Sequence, residues 1–205
     1  MSTPRRRRRG TGHELRTVVV RVATDLLAST GDVDTMTMRD VASAAGVTTP
    51  SVYRHFPDKE ALVREVLAER FAEFTNLLQD AAAAAGDEPL ARLAAMAAAY
   101  VRAGLAEPGH YRVMFSATNS GWGGLGLDPA DPHPGAAAHQ ALVDATTACL
   151  PPSTHAEAPL LATELWASLH GLVDLQITKP DMPWPDPDRL IDLALTAVRR
   201  ARMLR

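Results

Sequence analysis

The segment from Thr37 to Leu62 constrains the fold of this chain more than any other segment. It reads TMRDVASAAGVTTPSVYRHFPDKEAL, two short helical stretches on either side of Gly46, followed by the start of a longer helix at Lys59. The Thr37 hydroxyl can accept from free N–H groups of the first turn, so Thr37 is expected to cap the first stretch. Gly46 stands where a helix commonly ends with a positive φ angle, and Pro50 suits the first position of the second stretch. The segment therefore predicts a helix-turn-helix.

Helical spacing gives these two stretches an inward and an outward face. The residues expected in the core are small or apolar: Val41, Ala42, Gly46, Val47, Val52 and Phe56. The second stretch would present hydroxyls, a guanidinium and an imidazole outward, on Thr48, Thr49, Ser51, Tyr53, Arg54 and His55. Such a face is typical of a recognition helix that enters a DNA groove.

The distribution of charge supports DNA as a partner, although the total charge does not. The formal net charge is −3. Residues 1–60 hold ten Lys and Arg against seven Asp and Glu, a net charge of +3, and the remaining residues carry −6. The basic charge is thus confined to the part that would face DNA.

Residues 1–10, MSTPRRRRRG, form a basic arm of low complexity. We predict that this arm is disordered when the protein is free. It is either a solvated tail or an arm that lies along phosphates or enters a minor groove once the domain docks, and both can hold.

Apolar residues recur at helical spacing along the rest of the chain, without an alternation of period two. A helix from about residue 12 to 30 precedes the helix-turn-helix, with Leu15, Val18, Val19, Val22, Leu26 and Leu27 inward. A long helix over residues 59–85 follows it, and later helices are expected over 89–106, 110–117, 136–150, 153–178 and 186–205. Residues 118–135 are rich in Gly, Pro, Asn and Asp, which predicts a long loop. The pattern predicts an all-α fold, with a three-helix DNA-binding head joined by a long helix to a helical body.

Motifs of the common enzyme classes are missing from the sequence. It contains no G-x-S-x-G, Walker A, dinucleotide fingerprint or H-E-x-x-H motif, and its GWGGLG stretch follows no strand. We therefore expect no catalytic site and no cofactor. A metal site is not expected either, because five histidines lack regular ligand spacing: His110, His133, His139, His155 and His170.

A single cysteine, Cys149, cannot form an internal disulfide, which fits a reducing cytoplasm. No apolar run reaches the roughly 20 residues of a membrane span. The Arg-rich first residues lack the apolar region of a secretory signal. We therefore expect a cytoplasmic protein without a membrane partner.

The segment TMRDVASAAGVTTPSVYRHFPDKEALVREVL resembles the TetR family of transcriptional regulators. It has the family's arrangement T-x-x-x-[IV]-A-x-x-A-G-V-[ST]-x-x-x-[LVI]-Y-x-[HY]-F-x-x-K-x-x-L without gaps, and the resemblance covers roughly residues 11–70. HYRVMFS and WASLHGLVDLQ resemble segments of the sixth and eighth helices in one group of these regulators. The resemblance implies about nine helices, with a helix-turn-helix DNA-binding domain over residues 11–58 and a ligand-binding and dimerisation domain over residues 59–205.

The resemblance also implies phosphate contacts. Tyr53 is at the position from which the family's tyrosine reaches a phosphate, and its alternative is packing on the helix-turn-helix core. Lys59 begins the long helix, where an ammonium adds to the attraction of the helix dipole for phosphate, and its alternative is a solvated lysine. Thr37 can cap its helix and also touch a phosphate. His55 is expected to be structural or to face a phosphate.

Four residues of the second stretch are candidates for contacts with base edges: Thr48, Thr49, Ser51 and Arg54. Arg54 could bind guanine through two hydrogen bonds, which is worth about 1–3 kcal/mol of discrimination. Contact with a phosphate or an ion pair with a nearby acid is the alternative for Arg54.

In the body, the resemblance implies a cavity at the ends of the fifth, sixth and eighth helices. We predict that it is lined by Tyr100, Tyr111, Phe115, Trp166 and His170, for which ordinary core packing is the alternative. Adaptable Met and amphipathic aromatic side chains suit a mainly apolar ligand with one or two polar anchors.

The family dimerises through its last two long helices, which correspond to Glu157–Thr178 and Asp186–Leu204 here. The predicted interface residues are Leu165, Leu169, Leu172, Leu195 and Val198, some of which must face the core of their own protomer.

We expect a ligand-responsive, dimeric DNA-binding regulator, a repressor released from a palindromic operator in double-stranded DNA by a small, mainly apolar molecule. The alternative is a helical protein that binds a small molecule or a partner and has only non-specific affinity for DNA.

Overall fold

The computed structural model describes residues 11–116 and 133–203. The basic arm and most of the loop predicted at 118–135 lie outside the described residues. Within these ranges the chain forms ten α-helices and one short 3-10 helix, without a strand. The predicted all-α fold is confirmed.

The helices are α1 (Thr11–Thr30), α2 (Met38–Ala44), α3 (Thr49–Tyr53), α4 (Lys59–Ala84), α5 (Pro89–Ala106), α6 (Pro108–Ser116), α7 (Ala136–Cys149), α8 (Ala158–Thr178), α9 (Pro187–Ala194) and α10 (Thr196–Met203). A 3-10 helix, Pro152–Glu157, precedes α8, where the sequence predicted that α8 itself begins at residue 153.

The described chain divides into two compact units. One holds residues 11–69 and 109–116, and the other holds residues 70–108 and 133–203. The division falls inside α4, between Glu69 and Arg70. The boundary of the DNA-binding domain after residue 58 stays a prediction. The start of α4 and nearly all of α6 therefore pack in the same unit as α1, α2 and α3.

The turn between α2 and α3 depends on Gly46, which has a φ of +66°. Its N–H donates to the Ser43 carbonyl at 3.1 Å, and the Val47 N–H donates to the Ala42 carbonyl at 2.9 Å. These two bonds form the Schellman arrangement that ends many helices. Gly46 is exposed and Val47 is half-buried, so the prediction that both are core residues is wrong; their part is to end α2.

The core of the first unit lies between α1, α2, α3 and the start of α4. Val41, Val52 and Phe56 are buried, as the spacing predicted. On α1 the fully buried residues are Val19, Val20, Ala23 and Leu27, whereas Leu15, Val18, Val22 and Leu26 are only partly buried. The packed stripe therefore includes the small Ala23.

Arg16 links α1 to two other parts of the first unit. Its guanidinium lies 5.0 Å from the centre of the Phe56 ring, and it forms an ion pair with Glu65 on α4. The pair raises the pKa of Arg16 and lowers the pKa of Glu65, because each charged form gains a charged hydrogen-bond partner. Since both side chains are about a third exposed, the pair fixes orientation more than it adds stability.

α6 packs closely against α1 at Gly109. A Cβ atom on this residue would lie 2.1 Å from the Ala28 carbonyl oxygen. No side chain fits at this distance, so glycine is required where the two backbones meet.

In the second unit, α5, α7 and α8 pack against one another, and α9 and α10 lie against this group. Leu165, Leu169, Leu195 and Val198 are each at most 1% exposed in the single chain. Four of the five predicted interface residues therefore face their own protomer and have no surface left for a partner. Leu172 is half-buried.

The helix predicted over residues 186–205 is interrupted at Leu195, so that it forms α9 and α10. The Arg199 guanidinium donates to the Asp192 carbonyl at 3.1 Å and to the Asp192 carboxylate at 2.7 Å. In an unbroken helix that carbonyl would accept from the N–H of residue 196. The side-chain bond takes the place of the missing helical bond.

Candidate nucleic-acid interface

Thr37 caps α2 through a reciprocal pair of bonds with Asp40. The Thr37 hydroxyl oxygen accepts from the Asp40 N–H at 3.2 Å, and the Thr37 N–H donates to the Asp40 carboxylate at 3.1 Å. The Thr37 hydroxyl also lies 2.6 Å from that carboxylate and lowers the pKa of Asp40. A phosphate contact by this hydroxyl would compete with its bond to Asp40.

The face of α3 away from the core is polar. Tyr53 is 50% exposed, and Thr48 and Arg54 are also exposed. Thr49, Ser51 and His55 are half-buried. Since Val52 and Phe56 are buried on the opposite side, the motif holds these polar groups at the surface on a packed support.

Three of these side chains form a connected row along the exposed face. Thr48 Oγ1 lies 2.9 Å from Ser51 Oγ, and Arg54 Nη2 donates to Ser51 Oγ at 2.9 Å. Within the described ranges no carboxylate pairs with Arg54, so its ion-pair alternative is not found there.

Lys59 is not freely solvated, which was the alternative to a phosphate contact. Its Nζ donates to the Val33 carbonyl at 3.2 Å, and the side chain is half-buried. This bond ties the start of α4 to the segment that leads into α2. Asp58 caps α4 by accepting from the Ala61 N–H at 2.6 Å. An ammonium has three N–H donors, so Lys59 keeps capacity for a second partner.

The residues predicted to line a ligand cavity fall into two groups. Tyr111 and Phe115 lie on α6 in the first unit, with ring centres 4.6 Å apart. Tyr100, Trp166 and His170 lie in the second unit, where the Tyr100 hydroxyl is 3.5 Å from His170 Nδ1 and the Trp166 ring centre is 6.3 Å from that of His170. Burial lowers the pKa of His170, so this polar pair is uncharged at neutral pH.

The second unit also contains a cleft that the sequence did not indicate. Its volume is about 460 Å³, and it lies between α4, α5 and α7. Ala82, Met96 and Ala145 form its apolar part, and Asp87, Arg92 and Asp144 are its charged residues. None of the five predicted lining residues borders it. Alanines carry no distinctive sequence signal, which explains why this cleft was missed.

Neither a metal site nor a membrane span is found in the described part of the chain. No group of three or more His, Cys, Asp and Glu side chains there could hold an ion. No helix in those ranges combines the length and the apolar character that crossing a bilayer requires.

Two family models match the chain. The model for bacterial regulatory proteins of the tetR family matches residues 20–66, which include the whole helix-turn-helix. The model for a tetracyclin repressor-like C-terminal domain matches residues 93–198, about half of the chain. No curated protein matches the chain significantly.

Several solved structures share the fold. A protein of unknown function from Rhodococcus sp. RHA1 has 24% identity and a TM-score of 0.72, covering 97% of this chain and 98% of its own. A proposed TetR-family regulator from Mesorhizobium loti MAFF303099 has 16% identity and a TM-score of 0.73, with coverage of 95% and 98%. NalD, the secondary repressor of the MexAB-OprM multidrug efflux pump in Pseudomonas aeruginosa, has 19% identity and a TM-score of 0.57, with coverage of 92% and 95%.

At these identities the structural likeness establishes the fold alone. The family models cover both the helix-turn-helix and the helical body that follows it. The chain belongs to the TetR family of bacterial transcriptional regulators.

Proposed function

We propose that this regulator is a dimeric repressor that leaves a palindromic operator when a small, mainly apolar molecule binds its body. The observation that carries the proposal is the exposed row of polar side chains on α3, held by a packed helix-turn-helix. NalD, which has the same fold, is a repressor of a multidrug efflux pump. Because a bacterial operator is reached from the cytoplasm, the proposal places the protein there.

In this proposal α3 enters the major groove, and two side chains at its edge hold the phosphates. Tyr53 is half-exposed and supplies a hydroxyl, and Lys59 supplies an ammonium fixed by its bond to Val33. Phosphate contacts of this kind set the position of the protein on the duplex, while base contacts determine sequence preference.

Dimerisation is supported by apolar side chains that the single chain leaves exposed on its last three helices. Leu160 and Leu175 on α8 are 72% and 46% exposed, Leu193 on α9 is 69% exposed, and Met203 on α10 is 78% exposed. We propose these four residues for the interface in place of the buried residues predicted from the sequence. Two heads would then read half-sites about 34–36 Å apart.

The ligand would act by favouring a dimer whose heads do not match the operator spacing. It must bind that state better by a few kcal/mol, since equal affinity for both states would change nothing. An apolar effector is supported by Trp166, which is 37% exposed, and by the neighbouring His170, whose ring lies beside the hydroxyl of the buried Tyr100.

The test is binding of the full chain to DNA from upstream of its own coding region, compared with unrelated DNA of equal length. Tyr53→Phe and Lys59→Ala should each weaken binding, because each removes a phosphate contact. Lys59→Ala should also reduce the dependence of binding on salt, because it removes a positive charge at a phosphate. Lys179→Ala is the matched control, since it removes the same charge from an exposed position in the second unit. Unchanged affinity in both variants would contradict the docking.

The second candidate function is a helical ligand-binding or partner-binding protein whose affinity for DNA is non-specific. The Arg-rich residues 1–10 favour it, because they would attract any duplex. Salt-sensitive binding that ignores sequence would support this function over the first.

A further inference from the structure

Thr48, Ser51 and Arg54 differ from the other polar residues of α3 in that their side chains bond to one another. Successive members are three residues apart and are joined by two contacts of 2.9 Å. Neighbours at this spacing share one face of a helix, so the row runs along the exposed face. The Ser51 hydroxyl therefore already contacts two other side chains of the protein.

These bonds bring the Arg54 guanidinium back toward the start of α3. Arg54 is the C-cap residue of the helix, yet its Nη2 reaches the Ser51 hydroxyl one turn earlier. Side chains on a helix generally lean toward its N-terminus, so the conformation needs no strain. In helix-turn-helix proteins the first residues of the recognition helix meet the base edges. The guanidinium therefore lies over the part of α3 that would face bases.

Arg54 also keeps its charge and most of its donors available. A guanidinium has five N–H donors, and Ser51 uses one of them. In the part of the chain that the structure describes, the hydrogen-bond partner of the guanidinium is this neutral hydroxyl. Arg16 shows the contrast, since its guanidinium is paired with Glu65 and lies against Phe56. Two parallel donors on a free edge match O6 and N7 of guanine in the major groove.

We infer that Arg54 determines sequence preference by binding a guanine in each operator half-site, and that Ser51, supported by Thr48, is a positioning residue for Arg54 and not a base contact. The inference rests on the proposed operator binding. It gives Arg54 and Ser51 different roles, although the sequence makes both of them candidates for contacts with base edges.

The first test is selection of duplexes from a random library by the full-length protein and by Arg54→Ala. The wild-type protein should select a guanine at one fixed position of each half-site, and Arg54→Ala should lose that preference. On the selected duplex, replacing this guanine by 7-deazaguanine removes the N7 acceptor. Because one of the two bonds remains, the change should weaken wild-type binding several-fold, by less than the roughly 150-fold upper value of a full bidentate pair, and leave Arg54→Ala unaffected.

The second test asks whether Ser51 acts through Arg54. Ser51→Ala should reduce the loss caused by 7-deazaguanine, because an unheld guanidinium discriminates less well. Ser51→Thr retains the hydroxyl and should restore the wild-type loss. A purely structural effect of Ser51→Ala would lower affinity equally on both duplexes and would not be restored in this selective way. Thermal unfolding of Arg54→Ala, Ser51→Ala and Ser51→Thr shows whether the head remains folded.

Two results would overturn the inference. If Arg54→Ala weakens binding equally on both duplexes and lowers the salt slope by about one, Arg54 contacts a phosphate. If the wild-type protein selects a sequence whose guanines do not depend on Arg54, the inference fails while the proposed function stands. If it selects no sequence, the proposed function fails, and the inference fails with it.

Discussion

Lys59 and Thr37 each make a bond inside the protein in addition to the DNA contact proposed for them. Lys59 Nζ donates to the Val33 carbonyl, and the Thr37 hydroxyl is engaged with Asp40. For Lys59 the internal bond leaves two further donors, so the two tasks are compatible. For Thr37 the cap already occupies the hydroxyl, which makes capping its main contribution.

Cys149 gives a prediction about a single residue. Burial raises the pKa of its thiol to about 11, and Sγ donates to the Ala145 carbonyl at 3.3 Å. Only the thiolate reacts with alkylating reagents, so the native protein at about pH 8 should be labelled about 100-fold or more slowly than the chain in denaturant. Mass spectrometry measures the labelling over time. Comparable rates in the two conditions would contradict the burial of this thiol.

In the last helices, spacing predicted which apolar residues are buried, but not what they are buried against. Leu165, Leu169, Leu195 and Val198 follow helical spacing and are buried as such a pattern predicts. The sequence makes all four candidates for the dimer interface, with some expected to face their own core, because spacing alone does not tell a face packed on its own protomer from a face packed on a second copy. The exposure of Leu160 and Leu193 becomes visible only once the helices are packed.

Two glycines make a prediction about the junctions between helices. Gly46→Ala should cost about 1–2 kcal/mol of stability, because a side chain is strained at its positive φ although nothing lies within 4 Å of the added Cβ. Gly109→Ala should cost more, since its Cβ would meet the Ala28 carbonyl at 2.1 Å and must push α6 away from α1. Urea unfolding of both variants measures the difference. A smaller loss for Gly109→Ala than for Gly46→Ala would contradict the close packing of α6.

The types of the elements could be predicted from the sequence, and several of their ends could not. Capping by Thr37 and the stop at Gly46 depend on local chemistry and are found as predicted. At the break at Leu195, the Arg199 side chain bonds to a carbonyl seven residues earlier. The packed stripe of α1 includes Ala23, whose burial the spacing of the larger apolar residues did not indicate. Such features require packing information that periodicity does not contain.

The stability of the whole molecule should fall as the medium becomes acidic. Burial lowers the pKa of His170 and of His133, whose Nδ1 accepts from the Gly135 N–H at 2.8 Å. Below about pH 6.5 the unfolded chain therefore binds protons that the folded chain resists, and the free energy of unfolding decreases as the pH falls.

Urea unfolding between about pH 7.5 and 5.5 measures this effect. His170→Gln should reduce the slope, because it removes an imidazole whose pKa burial lowers. Equal slopes in the wild type and His170→Gln would contradict the contribution of this imidazole.

Oligomeric state tests the interface proposed for the whole molecule. The wild-type protein should sediment as a dimer at micromolar concentration, and Leu160→Glu or Leu193→Glu should shift it toward monomer. Both side chains are exposed in the single chain, so the helical content measured by circular dichroism should remain. Leu77→Glu, at an exposed leucine of α4, is the matched control. A monomeric wild-type protein would contradict the proposed dimer.

The central claim is that the head discriminates between DNA sequences, and a competition measurement tests it most directly. The full-length protein is bound to its labelled selected duplex at about 0.15 M salt. It is then displaced either by the same duplex without the label or by a scrambled duplex of equal length and composition. Sequence-specific regulators prefer their site by about 1,000-fold or more. We predict that the scrambled duplex must be present at a concentration higher by a factor in that range to displace the protein equally. Equal displacement by the two duplexes would mean that the helix-turn-helix does not read sequence, and would contradict the proposed function.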